Sequence, residues 1–335
     1  MHMTPETVQA ALQPLVNNAL GNDCRITACR RLTAGASAAT WLVDTSQQSL
    51  ILRLEAGGEQ FGTGVGKTVE AKTQQAAGEA GAPVARVFHI LEDHPQLGNG
   101  YLMQALQGES LAPKILKAPE LESARANLTQ QCAQALATIH RIPQGQLDFL
   151  PLQDAAEQLE SLQAIHHSFG ETLPVFTLAF RWLRDNIPPC PQPALVHGDF
   201  RLGNFLITEN GLNGILDWEL THLGDPIEDL GWLCVRAWRF NRPDKAVGGF
   251  GDRGKLIAAY EAAGGSKVNP DHLRYWELFG TLKWGVICQY QAFTHLNGQV
   301  RSVERAAIGR RVAETEYDMM QLLNAIAHNA PVETH

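Results

Sequence analysis

The sequence has no CxxC or CxxH pair among its six cysteines (24, 29, 132, 190, 234 and 288), so neither a zinc site nor a disulfide framework is signalled. The cysteines read as reduced, mostly buried, small apolar residues. No run approaches the roughly 18 uninterrupted apolar residues of a membrane-spanning helix; Leu230 to Val235 soon meets Arg236 and Arg239. The start, Met1-His2-Met3-Thr4-Pro5-Glu6, lacks the charged beginning and apolar stretch of a secretory signal, which predicts a cytoplasmic protein. Excess positive charge is absent too: 27 Lys plus Arg face 35 Asp plus Glu, a net of −8, with no polyelectrolyte pull toward nucleic acid or an anionic membrane. Internal repeats and low-complexity segments are also missing.

What is present is an ordinary globular composition, 44% apolar and 19% charged over 335 residues, enough for about two domains or one two-lobed enzyme. Thr4-Pro5-Glu6 opens a helix over 4–20, with Val8, Leu12, Leu15, Val16 and Leu20 at helical spacing and Gly21 after it. Short apolar runs at Ile26–Leu32, Trp41–Asp44 and Leu50–Leu54 predict an antiparallel meander whose first turn, 33–39, is rich in small residues. A helix over Lys67–Ala80 and strands near 84–91 and 100–106 complete a five-stranded sheet. From Glu120 onward the sequence predicts helices at about 120–140, 153–168, 174–186, 226–240, 252–263, 270–293 and 301–327, interrupted by one strand–turn–strand island at 195–217. The expected fold class is α+β: residues 1–106 form an N-terminal lobe with one long helix beside a small antiparallel sheet, and residues 107–335 form a helical lobe.

The island carries the chemistry. Its strands Leu195-Val196 and Gly214-Ile215-Leu216 flank polar residues at their ends, so Asp199, Asn204 and Asp217 can converge on one point. Phosphoryl transfer needs hard oxygen ligands for a divalent metal and a carboxylate that takes the acceptor hydroxyl's proton. Asp199 fits the base, and Asn204 and Asp217 fit the metal. A Ser/His/Asp hydrolase built on His197 and Asp199 finds no G-x-S-x-G nucleophile elbow. Gly62-Thr-Gly-Val-Gly66-Lys67-Thr68 imitates a P-loop, but Phe61 stands where the first glycine belongs. Lys67 and Thr68 instead begin the helix that carries Glu70. Asp225-Pro226-Ile227-Glu228 is a helix-start signal, which makes Asp225 a structural residue.

His197-Gly-Asp-x-x-x-x-Asn204, Ile215-Leu-Asp-Trp-Glu219 and Gly224-Asp-Pro-x-x-Asp229-Leu together resemble the aminoglycoside phosphotransferase and choline kinase superfamily. The nearest likeness is to the branch related to the kinase-like domains fused to some acyl-CoA dehydrogenases, through His197-Gly-Asp-Phe-Arg-Leu202, Leu216-Asp-Trp-Glu-Leu220 and the run Asp229–Arg239, over roughly residues 20–325. The resemblance implies a protein-kinase-like two-lobed fold, an ATP or GTP donor and magnesium on Asn204 and Asp217, with Asp199 as base. It implies that His197 is structural and that Asp229 anchors the backbone of the catalytic loop. Arg53 stands on the third strand, where many members carry a phosphate-binding lysine. An arginine can serve phosphate oxygens bidentately, and Glu70 is placed to hold it as the family's strand–helix ion pair does. Gly35, Ala36 and Ser37 would lie over the phosphates with backbone N–H donors. Met103, Gln104 and Ala105 occupy the position that pairs with adenine; the residues alone equally fit a plain buried strand end.

The acceptor is a small molecule. From Leu195 to His335 there are 14 Lys plus Arg against 17 Asp plus Glu, a net of only −3, and Arg236, Arg239, Arg242 and Lys245 form a basic run. A polycationic aminoglycoside calls for a strongly acidic cleft. Arg236 and Arg239 therefore point to a neutral or anionic acceptor such as a hydroxylated acyl thioester of coenzyme A, although the same run also fits a solvated helix end. An antibiotic kinase, for aminoglycosides or macrolides, and a catalytically silent nucleotide-binding protein are the two rivals. Trp218, Trp232, Trp238, Trp276 and Trp284 read as core rather than as a pocket. A monomer or a homodimer is expected, with no nucleic-acid or membrane partner.

Overall fold

In the computed structural model, residues 4–32, 38–55 and 64–328 are described. Helix α1 (Pro5–Leu20) starts where the sequence marks it: Thr4 Oγ1 accepts the N–H of Thr7 at 3.3 Å, and Gly21 ends the helix at φ +103°. Strands β1 (Ile26–Arg31), β2 (Ala38–Thr45), β3 (Ser49–Glu55), β4 (Val87–His94) and β5 (Gly98–Gln104) form an antiparallel sheet in the order β1-β2-β3-β5-β4.

Alternation along these strands decides what each face does. Leu50, Leu52 and Leu54 of β3, with Trp41 and Val43 of β2, pack against Val8, Leu12 and Val16 of α1. Each of these side chains contributes roughly 1.5–3 kcal/mol by leaving water. Ile51 and Arg53, one residue out of phase, take the opposite face beside their ladder partners Met103 and Tyr101 of β5, and α2 (Lys67–Glu79) covers that face through Ala71. A one-residue slip in β3 would bury Arg53 among the leucines, so the hydrophobic pattern itself aims Arg53 at the interior of the molecule.

The rest of the chain is mainly helical: α3 (Ala112–Lys117), α4 (Glu122–His140), α5 (Ala155–Ser168), α6 (Pro174–Asp185), α7 (Ile227–Cys234), α8 (Arg253–Ala262), α9 (Pro270–Leu296), α10 (Val303–Gly309) and α11 (Val312–Ala327). Two short sheets join the island to this lobe. Strand β6 (Ala194–Val196) pairs with β9 (His222–Gly224), and β7 (Phe205–Thr208) pairs with β8 (Gly211–Ile215). The main core gathers α4 and α9 around Trp218, Trp276 and Phe279. Four cysteines (24, 132, 234 and 288) are buried and all six are free. Among the described residues no helix is long and apolar enough to cross a membrane.

Two expected helices are shorter than their periodicity suggests. The one expected over 226–240 stops at Cys234; Val235 is extended, one 3-10 turn spans Arg236–Arg239, and Phe240 and Asn241 are left-handed at φ +44° and +64°. The cause is Arg239, which folds back and donates to the Cys234 carbonyl at 2.9 Å from Nη2 and 3.3 Å from Nε. A side chain thus supplies the donor that another helical turn would have supplied. The helix expected over 301–327 is two, α10 and α11, divided after Gly309. The short helix α3 and the strand β9 had no signal of their own.

Candidate active site

The loop from His197 to Asn204 is held from behind by Asp229. Its carboxylate accepts the backbone N–H of His197 at 2.8 Å and of Gly198 at 2.9 Å, and its Oδ2 lies 3.2 Å from His140 Nε2. Burial pushes the Asp229 carboxyl upward, but His140, His197 and these amides together hold it below the usual carboxylate range. Gly198 is left-handed at φ +81°, and a Cβ there would lie 2.5 Å from the Leu220 carbonyl oxygen, so only glycine admits this close approach.

Both ring nitrogens of His197 are occupied: Nδ1 faces the Asp199 N–H at 3.2 Å and Nε2 faces the Leu216 carbonyl at 3.1 Å. His197 therefore ties the loop to the strand end that precedes Asp217 and is not free to shuttle protons. The N–H of Leu216 donates in turn to the Asn204 carbonyl at 2.8 Å, so a single peptide segment brings Asp199, Asn204 and Asp217 to one place. Asp225, at the start of α7, accepts from the Ile227 N–H at 3.0 Å and from Trp276 Nε1 at 2.9 Å, a framework role.

Asp199 is surrounded by donors. Arg201 Nε lies 2.8 Å from Oδ1 and Arg201 Nη2 3.2 Å from Oδ2; Trp232 Nε1 donates to Oδ1 at 2.8 Å and Asn204 Nδ2 to Oδ2 at 2.6 Å. The Asn204 amide nitrogen is spent on Asp199, which leaves its oxygen as the ligating atom. Asp217 adopts φ +67°, rare for a residue with a side chain and costing on the order of 1–3 kcal/mol, a strain typical of sites that must aim a group. Burial raises its carboxyl, but the charge and hydrogen bond of Arg53, with Lys67 and His197 nearby, hold it below the ordinary range. Two hard oxygen ligands suit magnesium, which binds through one or two protein groups and fills its shell from phosphates and water. Consistent with so small a set, no group of three or more His, Cys, Asp or Glu suited to a metal occurs among the described residues.

Arg53 bridges the two lobes: Nη1 lies 3.0 Å from Glu70 Oε1, and Nη2 lies 2.9 Å from Asp217 Oδ1. Burial alone would lower the guanidinium's pKa, yet Glu70, Tyr101 and Asp217 keep it above its usual value. Its Nε is buried and, among the described residues, has no hydrogen-bond partner, an unused donor beside the place a phosphate oxygen would enter. The sequence reading paired Arg53 with Glu70 but missed two neighbours, Lys67 and Tyr101, and a backbone bond from Val65 nearby in the chain. Lys67, buried, sits 2.5 Å from Glu70 and 3.6 Å from Glu219; Tyr101 donates to Glu70 at 2.7 Å; the Val65 N–H donates to the Glu219 carbonyl at 2.8 Å. The i,i+3 spacing of Lys67 and Glu70 was the available signal. For Tyr101 only its phase on β5, shared with the Arg53 face, was visible.

The structure narrows two assignments. The N–H groups of Gln104 and Ala105 already donate to the carbonyls of Arg86 (2.9 Å) and Ser49 (3.2 Å), so they are not free donors for adenine, and Met103 is buried in the sheet. The basic run also divides. Arg239 is buried with Nη2 2.9 Å from Glu277, which Arg253 also engages, so its charge is already paired. Arg236, Arg239 and Arg242 all border a groove of about 850 Å³ with Trp284, Arg311, Tyr317 and Asp318, and Arg236 is paired there with Asp318 at 3.4 Å. Gly35, Ala36 and Ser37 lie outside the described residues.

Known proteins place this arrangement. Residues 28–265 match the phosphotransferase enzyme family, known as APH. A curated relative, mouse acyl-CoA dehydrogenase family member 10, is 28% identical over 218 residues; the match covers 60% of this chain but only 20% of that protein. A candidate aminoglycoside phosphotransferase from Ralstonia eutropha superposes with a TM-score of 0.75 at 21% identity, covering 95% of this chain and 98% of that one. Spectinomycin phosphotransferase, solved with ADP and spectinomycin, gives 0.66 at 13% identity over 96% of this chain and 100% of its own. These likenesses show a two-lobed, kinase-like fold. With the family match spanning both lobes and the whole catalytic loop, the chain belongs to the phosphotransferase enzyme family.

Proposed function

We propose that the protein is a small-molecule kinase that moves the γ-phosphoryl group of ATP, or of GTP, to a hydroxyl of a neutral or anionic acceptor. The observation that carries this reading is the one peptide segment, Leu216-Asp217, that joins Asn204 and His197 and so sets two oxygen ligands beside the carboxylate of Asp199. Neighbouring structures with ADP or GDP bound support a nucleotide in the same cleft. In the reaction the acceptor oxygen bonds to the γ-phosphorus as the bond to the departing ADP oxygen breaks, and Asp199 takes the hydroxyl proton. Asn204 and Asp217 would hold magnesium, which when bound offsets phosphate charge. Arg53 and Lys67 supply further positive charge from the N-terminal lobe.

The groove beside Trp284 supports an acceptor with negative charge. Arg236, Arg239, Arg242 and Arg311 line it, against Glu314 and Asp318, with Arg236 paired to Asp318 and Arg311 to Glu314. That balance suits a phosphate- or carboxylate-bearing molecule, such as a hydroxyacyl thioester of coenzyme A, better than a polycationic antibiotic. A silent nucleotide-binding protein is the second reading, favoured by one observation: Asp217 is paired with Arg53, and Asp199 is engaged by four hydrogen bonds.

Thermal unfolding tests the reading with ATP plus magnesium and with ATP plus EDTA, on the wild type and Asp217→Asn. Ligand at ~100 times its dissociation constant adds about 2.7 kcal/mol, a shift of several degrees for a chain of this size. A metal-dependent shift that vanishes in Asp217→Asn is expected; no shift under any condition sinks the kinase reading. Titration of coenzyme A against kanamycin tests the acceptor, and tighter kanamycin binding would overturn that part.

A further inference from the structure

The carboxylate assigned as base has no vacancy. A carboxylate offers about four lone-pair sites, and Asp199 receives four hydrogen bonds: two from Arg201, one from Trp232 and one from Asn204. An acceptor hydroxyl cannot donate to it until one of them leaves. Trp232 and Asn204 are buried at 4% and 7% exposure and fixed by their own elements. Arg201 differs. Its side chain is a quarter exposed, and it forms the bidentate, charge-assisted pair, the hardest of these contacts for a neutral hydroxyl to displace.

Arg201 also packs on the aromatic cluster behind the groove. Its guanidinium lies over the Trp238 ring at 4.4 Å, and Trp238 packs at 4.8 Å on Trp284, a wall of the arginine-lined groove. Gly203, left-handed at φ +107°, makes room for it, since a Cβ there would stand 2.7 Å from Nη1. The guanidinium is thus shared between Asp199 and Trp238, one ring removed from the Trp284 wall of the groove.

We propose that Arg201 locks the base, keeping Asp199 occupied until an anionic group of the acceptor draws the guanidinium away. This rests on the kinase reading of the same site. The lock couples base release to acceptor charge, and it shields ATP from wasteful hydrolysis, in which water's oxygen bonds to the γ-phosphorus, ADP leaves with the electron pair of the broken bond, and water's proton passes to Asp199. The displacing anion has two sources, the acceptor and the γ-phosphate of ATP itself, and acceptor-free turnover separates them.

The experiment measures ADP release from Mg·ATP with no acceptor, alongside the thermal shift that Mg·ATP produces, in wild type, Arg201→Gln, Arg201→Lys and Arg201→Gln/Asp199→Asn. Expected is hydrolysis roughly tenfold faster in Arg201→Gln, a fraction of the ~10²–10⁴ a positioned base supplies. Arg201→Lys, a point charge that cannot span both oxygens, falls between it and wild type, and the double variant loses the gain. Should Arg201→Gln fold poorly, the order of Arg201→Lys above wild type carries the test. Hydrolysis unchanged or reduced in both single variants, with the Mg·ATP shift retained, overturns the lock and leaves the kinase reading standing; the same result follows if the γ-phosphate alone opens it. Absence of any Mg·ATP shift in wild type removes the kinase reading and the lock together.

Discussion

Arg53 Nη2 and Asp217 Oδ1, 164 residues apart in sequence, meet at 2.9 Å across the cleft. The guanidinium of the N-terminal lobe therefore sits on a carboxylate assigned to metal, while its other arm holds Glu70 at 3.0 Å. A metal held by Asp217 would have to compete with Arg53.

Replacing Arg53 leaves Glu70 to Lys67 and Tyr101 alone. Breaking a buried ion pair from one side costs about 3–5 kcal/mol. Arg53→Gln is expected to melt several degrees lower and to bind Mg·ATP at least about tenfold more weakly, about 1.4 kcal/mol. Arg53→Lys, which reaches one carboxylate instead of two, falls between them. Calorimetric titration and thermal melts read both effects; unchanged affinity in Arg53→Gln would separate this residue from the nucleotide.

Asp229 holds the His197–Asn204 loop on two backbone N–H bonds. Asp229→Asn keeps the shape but loses the charge and is expected to cost about 3 kcal/mol, with turnover falling more than KM rises. The pH dependence has a defined sign. Asp217, Glu228 and Asp229 all lie below their ordinary pKa values of 3.8, 4.5 and 3.8, so their stabilisation is complete above those values and drains away as pH falls through the lower folded values. Urea midpoints should be flat in this respect above about pH 5 and drop steeply below about pH 4; Asp229→Asn should flatten that drop.

Asp318 titrates the other way. Burial raises its carboxyl to about 6, against the lowering effect of Arg236, Arg239 and Arg311, with Glu314 adding to the rise. A carboxyl raised on folding binds its proton more tightly in the folded state, so stability falls as pH climbs from its unfolded value of 3.8 through about 6. The ion pair with Arg236 at 3.4 Å and solvent at the groove offset part of that cost. Asp318→Asn should gain stability over wild type at pH 8 and lose that advantage at pH 4; equal gains at both would refute the assignment.

Gly198→Ala places a Cβ 2.5 Å from the Leu220 carbonyl and strains a left-handed residue. The expected cost is about 3 kcal/mol, with activity lost disproportionately because Asp199 follows directly. A soluble variant with wild-type turnover would show that the loop relaxes without moving the base.

The family of this protein and the grouping of its candidate site residues were legible where local spacing carries them. Asp199, Asn204 and Asp217 lie within 19 residues at two strand ends, so chain connectivity alone brings them close. The period-two pattern of β3 faces Arg53 away from Leu52 and Leu54, and helical spacing marked α1 and α2 with their caps. What the sequence could not state depends on partners distant along the chain. The shared hold of Lys67, Tyr101 and Arg53 on Glu70, the shortening of α7 by Arg239, and the spent N–H groups of Gln104 and Ala105 all result from one group answering another's unsatisfied hydrogen bond or charge. Such pairings leave no periodicity, because burial creates the need for them only once the lobes have packed. The occupancy of Asp199 follows the same rule: Arg201 is two residues away in sequence, but Trp232 and Trp238, which fix the base and the guanidinium, arrive from α7 and the turn after it. The residue types and their order thus set the family to which the chain belongs, and tertiary packing decided which polar groups of the candidate site are already engaged.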